Sequence, residues 1–322
     1  MAVALLLVIA ISVGATLLFT RDGGGGNPPT ASPPTSGPTS EIASADDTGP
    51  VAIITEDPTC DAWTPIVTTL SRNEANGWDK RDPSIPRSSW SPEQRRQYRE
   101  VGKAMTEAAS QIEPLITATP HRVMRELYGQ TIAYLRAYAN SVASYTPIDD
   151  NLAVFTNTSA AAINSICSAK SSRAAAARAP LISAAAEPKH VATIENPTDP
   201  QRFLPSGNPA CAGWISATDR FNSETADWQK LDPTSPSSDW TVEQRDINEA
   251  AAPIMLAFAD QTELLGRESG NPIWADFADL SAQYRRALVA SLPNYVPADN
   301  HLNNAAAHLV FVVKAACQAS GS

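Results

Sequence analysis

The sequence predicts an all-α protein: two tandem four-helix bundle-like repeats, each with one disulfide, after an N-terminal transmembrane helix and a disordered stalk. Three observations carry this. Apolar residues recur at steps of three and four, as in Val123, Leu127, Ile132, Tyr134, Leu135, Tyr138 and Val142, and no long stretch alternates with period two. The chain matches itself at an offset of 150 residues. Each half carries one Cys near its start and one near its end.

The self-match runs without a gap from Trp78/Trp228 to Ala169/Ala319, with about 25 of 92 aligned pairs identical. The identities fall on informative residues: Asp82-Pro83/Asp232-Pro233, Trp90/Trp240, Gln94-Arg95/Gln244-Arg245, Tyr134/Tyr284, Arg136/Arg286, Tyr145/Tyr295 and Asp149/Asp299. A shift of one residue upstream aligns Cys60/Cys211 and Trp63/Trp214. The 322 residues therefore divide into an anchor or signal segment at 1–20, a stalk at 21–59, repeats at 60–168 and 211–318, a linker at 169–210 and a tail at 319–322. Each repeat has the size of an ordinary domain.

Four helices are expected per repeat, at about 61–75, 91–118, 121–145 and 149–168, then 212–226, 241–267, 272–292 and 299–318. Ser91-Pro92-Glu93-Gln94 places a Ser N-cap, Pro at the first helical position and Gln at the third, a capping box that Thr241-Val242-Glu243-Gln244 repeats. Thr119-Pro120 and Asn271-Pro272 open the next helix. Short connections imply antiparallel neighbours. One long loop, Trp78–Trp90 and again Trp228–Trp240, breaks the pattern through its prolines.

Four Cys allow three pairings. The duplication selects Cys60 with Cys167 and Cys211 with Cys317, because an ancestral single repeat contained only its own two. Such bridges imply an oxidising compartment. Residues 2–19 are free of charge and, as a helix, span about 27 Å, close to the hydrocarbon core of a bilayer. No basic stretch precedes them and the apolar run is long for a signal peptide, so an uncleaved anchor is favoured over a cleaved leader, which would give a secreted product. The Gly, Pro, Thr and Ser that follow predict an extended, solvated stalk with nothing to form a core.

The formal charge is −10, from 24 basic and 34 acidic residues, which argues against nucleic acid as a partner. The repeats differ: residues 60–167 hold 11 basic and 11 acidic residues, net 0, and residues 211–317 hold 7 and 14, net −7. No nucleophile elbow, phosphate-binding loop or metal-ligand set is present, and the four His have no matched partners between repeats, so neither metal nor cofactor is expected.

Two candidate sites remain. Trp78, Trp90, Trp228 and Trp240 either form an aromatic groove for an envelope protein or glycan, or pin their own loops by packing. The matched polar residues Arg95, Glu113, Tyr134 and Arg136, with Arg245, Glu263, Tyr284 and Arg286, either line a pocket for an anionic ligand or tie neighbouring helices together.

The Ala-rich chain, the Pro/Thr/Ser stalk and the WDKRDPSIPRSSWSPEQR segment resemble uncharacterised exported, membrane-anchored proteins of actinobacteria, of the mycobacterial type. That resemblance implies a cell-membrane location with the bulk of the chain outside the cytoplasm, and brings no activity or catalytic residue. The expected role is a membrane-tethered binding or scaffolding protein of the envelope. The alternatives are an envelope enzyme such as a hydrolase, and an extracytoplasmic sensor module.

Overall fold

Helix formation follows the capping signals at Ser91, Thr241 and Asn271, whereas Thr119 ends the preceding helix and the one expected to open at Thr119-Pro120 has His121 as its N-cap, with no side-chain cap bond. In both long helices the N-cap hydroxyl accepts from the third helical amide (Gln94 N to Ser91 Oγ, 3.1 Å; Gln244 N to Thr241 Oγ1, 3.2 Å), and the Gln side chain returns the bond at 2.8 and 2.9 Å. The computed structural model describes residues 42–321, and every regular element among them is helical. In chain order these are α1 (Cys60–Glu74), α2 (Pro92–Ala118), α3 (Arg122–Ser141), α4 (Asp150–Ser171), the short α5 (Ala174–Arg178), α6 (Ala210–Glu224), α7 (Val242–Glu268), α8 (Pro272–Ser291) and α9 (Asn300–Ala319). The third helix of each half ends a few residues before Tyr145 or Tyr295, earlier than its apolar spacing suggests for the first half.

The two sets of four have nearly the same lengths: 15, 27, 20 and 22 residues, then 15, 27, 20 and 20. In each set the second helix packs along the third, the third along the fourth, and the first lies against the second and the fourth. Disulfides join Cys60 to Cys167 and Cys211 to Cys317, with Cα–Cα distances of 5.5 Å in both, so each ties the start of the first helix to the end of the last.

The halves do not stand apart. The most extensive helix–helix contact in the molecule is α4 against α9, which joins them. Asn151 at the start of α4 bonds the Gln318 carbonyl at the end of α9 (3.3 Å), and Ser165 Oγ meets His308 Nδ1 (3.0 Å), so the two helices run antiparallel. Both are rich in Ala, which lets helix axes approach closely. Residues 42–321 form one packed unit with a shared core.

Two stretches differ from expectation. The stalk reading fails over residues 42–59, where Val51, Ile53 and Ile54 are buried in the core. Composition averaged over 21–59 hides this apolar cluster behind the Pro, Thr and Ser before it. The segment is a strap: Ala43 N bonds the Thr117 carbonyl (2.9 Å), and His121 Nε2 meets the Glu56 carbonyl (2.7 Å). Asp57 accepts from the Thr59 amide (2.8 Å) and the Thr119 hydroxyl (2.6 Å), fixing the entry to α1. The linker 169–210 likewise bridges the halves. Phe203 sits between Phe155 and Phe277 (ring centroids 6.3 and 5.8 Å), its amide bonds Gln130 of α3, and its carbonyl accepts from Asn271, the N-cap of α8.

The expected transmembrane segment and the rest of the expected stalk lie outside the described residues. Among the described residues no helix is long and apolar enough to cross a membrane.

Candidate functional site

The Trp-Pro loops are built to hold themselves in place. Asp82 and Asp232 accept from the amide and hydroxyl two residues on (Ser84 and Thr234), setting matching turns. Trp90 and Trp240 donate their indole N–H to the Ile85 and Ser235 carbonyls, both at 3.0 Å. Tyr145 and Tyr295 donate to the Pro83 and Pro233 carbonyls at 3.2 and 2.8 Å. Asp149 and Asp299 accept the Thr146 and Val296 amides at 2.7 and 3.0 Å, shaping the turn before the last helix of each half. The identities between the halves in this region are thus largely those of one loop clamp.

Trp78 and Trp90 are only 1% and 4% exposed, and Trp228 and Trp240 are half-buried. Trp78 donates to the Tyr138 hydroxyl (2.8 Å) while Arg81 lies 3.5 Å over its ring and pairs with Asp150. Trp228 donates instead to Asn248 (3.0 Å). The first two rings therefore serve the interior, and the four do not form an open aromatic groove. Packing wins because a Trp buries some 200 Å² of mostly apolar surface, while its one donor finds a local acceptor.

The eight polar residues do not converge either. Arg95 and Glu113 are eighteen positions apart on α2, about 27 Å at 1.5 Å per residue. Arg95 Nε donates to the Trp90 carbonyl (3.1 Å), and Arg245 is exposed. Arg136 pairs with Glu113, and Arg286 with Glu263 at 2.6 Å, tying α3 to α2 and α8 to α7. Tyr134 and Tyr284 are fully buried, and burial pushes both phenols above their ordinary range. Tyr134 stacks on Phe155 with ring centroids 3.5 Å apart. A shared pocket lined by these residues is not formed.

The structure instead assembles a charged seam where α3 meets α8, from residues the identity count passes over. Arg122 is 1% exposed; its guanidinium grips the Asp276 carboxylate (Nε to Oδ2 2.6 Å, Nη2 to Oδ1 3.1 Å) and donates to the Asp47 and Gly49 carbonyls of the strap. Arg125 reaches the Ser44 carbonyl (2.8 Å) and hydroxyl (2.9 Å). Glu126 lies against Asp276, and neither Glu126 oxygen receives a protein donor among the described residues. Burial first, and the Asp276 charge second, hold Glu126 well above the usual carboxylate range. Glu126 and Asp276 are 150 residues apart, so the offset that relates the halves brings equivalent carboxyls face to face. A comparison by residue class rather than identity reveals them. On the linker side, Arg178 clamps Asp299 (2.9 and 2.8 Å) and the Asn294 side-chain oxygen (2.8 Å).

Asp279, one turn from Asp276 on α8, is 6% exposed and its pKa is pushed up to about 7, by burial and then by the Glu263 charge. A raised folded-state pKa means that between about pH 4 and 7 the folded chain keeps a proton that the unfolded chain has released. Stability therefore falls as pH rises through that window and levels off above it. Asp279→Asn is expected to raise the urea midpoint at pH 8 and reduce this slope, while Glu126 and Glu74, shifted the same way, maintain the remainder. An unchanged slope would show that Asp279 stays ionised.

Among the described residues no group of three or more His, Cys, Asp or Glu is placed to hold a metal ion. His308 is engaged with Ser165, and burial lowers its pKa.

The fold and seam define an all-helical body of two disulfide-closed halves, locked by buried ion pairs and strapped by the segments that precede each half. The chain belongs to the family described as mycobacterial ESX-1 associated protein, whose match covers residues 42–321. It is 50% identical over 320 residues to an uncharacterised protein of Mycolicibacterium smegmatis (strain MKD8), covering 99% of this chain and 85% of that protein. No solved structure matches it.

Proposed function

We propose that this chain is an extracytoplasmic, membrane-tethered binding or scaffolding component of the mycobacterial envelope that works with the ESX-1 secretion system. The observation that carries the compartment is the pair of disulfides, each closing a loop of just over 100 residues, since a reducing cytosol keeps such Cys as thiols. The family description supplies the association with ESX-1. The tether rests on the charge-free run at residues 2–19 and the Gly/Pro/Thr/Ser run after it. A tether raises the effective concentration of a binding body at the membrane.

The test is membrane-impermeant biotinylation of intact mycobacteria, with fractionation and non-reducing peptide mapping. The expected result is a labelled chain in the membrane fraction with Cys60 linked to Cys167 and Cys211 to Cys317. Four free thiols on a chain shielded from the reagent overturn the compartment. A labelled chain recovered wholly from the medium overturns the tether. In-cell cross-linking in strains with and without the ESX-1 apparatus tests the association: the expected partner set changes when the apparatus is absent, and an identical set refutes the link.

A further inference from the structure

A groove of about 460 Å³ opens between α2 and the C-terminal end of α3, away from the seam, and takes in Trp90 and Arg95 from the two sequence-derived candidate sets. Its wall on α2 carries Arg95, Arg99 and Lys103, at successive steps of four, hence on one helix face about 6 Å apart. Arg87 closes it from the Trp-Pro loop. No acidic residue lines it. Its floor is apolar, made by Gly102, Ala139, Val142 and Ala143, with Trp90 at one end. A Cβ at Gly102 would meet Val142 Cγ2 at 3.4 Å and the α3 backbone at 3.7 Å, ordinary contact distances.

The cations are little neutralised from within. Arg87 and Arg99 have no acidic partner among the described residues, and Lys103 has only Glu107 at 3.6 Å on its own helix, with both side chains exposed. The C-terminus of α3 offers about half a negative charge, far short of four positive ones. Packing does not demand them. The same helix pair in the second half packs with Ser237, Arg245, Glu249 and Pro253 at the equivalent positions, a single cation and one acid. Like charges four apart on a helix destabilise it slightly, so the first half carries a small structural cost that the second avoids. Three of the four cations are Arg, whose planar fork matches the oxygens of a phosphate, and a groove of this volume holds a ligand of cofactor size.

We propose that the α2–α3 groove of the first half binds an organic phosphate, with the phosphate on Arg95, Arg99, Lys103 and Arg87 and the apolar part of the ligand against the floor. The phosphate belongs either to a free phosphorylated metabolite or to a lipid headgroup, and this site is independent of the ESX-1 reading above.

The experiment uses the full chain, with pyrophosphate followed by calorimetry and phosphatidylcholine vesicles with or without phosphatidic acid followed by co-sedimentation. An Arg99→Glu/Lys103→Glu variant, changed only at exposed side chains, is checked for an unaltered thermal midpoint, and Arg245→Glu serves as the matched control in the second half. Binding of either probe is expected to fall at least about tenfold in the double variant and to survive in the control. Arg99→Lys, which keeps the charge and loses the fork, is expected to weaken pyrophosphate binding several-fold. Vesicle binding without pyrophosphate binding assigns a headgroup, and the reverse assigns a soluble phosphate. The proposal is overturned if the wild type binds neither probe, if the double variant binds as well as wild type, or if a polyglutamate peptide binds more tightly than pyrophosphate.

Discussion

Arg122→Leu is expected to destabilise the protein by about 3–5 kcal/mol, because it leaves the Asp276 carboxylate buried without its partner. The five contacts of the guanidinium explain the size of the loss: two go to Asp276, one to the Asp47 carbonyl and two to the Gly49 carbonyl. Removing the side chain therefore loosens the strap as well as the seam, since the half-buried Asp47 and Gly49 carbonyls lose their donor. Arg122→Leu combined with Asp276→Leu is expected to recover much of the loss, since a pair of apolar side chains has no ionic desolvation to offset. The strap carbonyls keep the recovery incomplete. Urea unfolding of both single variants and the double variant gives the coupling directly. A loss below about 1 kcal/mol in Arg122→Leu would place Arg122 in solvent and remove the seam from the account.

Reduction of the two bridges is the second large effect. Replacing Cys60 and Cys167 by Ser is expected to cost about 2–5 kcal/mol, and the Cys211/Cys317 pair about as much, because each bridge closes a loop of comparable length. The more discriminating expectation concerns cooperativity. With α4 packed along α9 and Phe203 wedged between the halves, loss of either bridge is expected to lower one shared transition for the whole body. Indole fluorescence and far-UV circular dichroism should trace the same unfolding curve. Two separated transitions, with the intact-bridge half melting at its original midpoint, would show that the halves fold as independent domains.

Much of the fold was legible in the sequence because its signals are local or repeated. The capping boxes at Ser91 and Thr241 lie within four residues of the amides they satisfy, and both form as the sequence implies. Apolar spacing marks the helices because a helix face is a property of one segment. The Cys pairing was readable because each half of the sequence carries its own matched pair of Cys, and it is the pairing observed.

The candidate sites were less legible for the same reason. Identity between the halves at Trp90/Trp240, Tyr145/Tyr295 and Asp149/Asp299 reflects a loop clamp, and a clamp and a binding groove draw on the same residue types. Arg95 and Glu113 are both matched yet sit far apart on one helix, a separation that a list of identities does not display.

Local pattern and matched positions are enough to establish the helical class, most helix starts, the disulfide framework and the unequal charge of the two halves. How the halves meet depends on contacts between residues far apart in the chain. Arg122 and Asp276 are 154 residues apart, and Glu126 faces Asp276 only because α3 and α8 cross there. Val51, Ile53 and Ile54 turn from stalk into core because they join an apolar cluster supplied by residues distant in the chain. Burial and the partner set the charge and the worth of each such group, and both are supplied by neighbours distant in the chain.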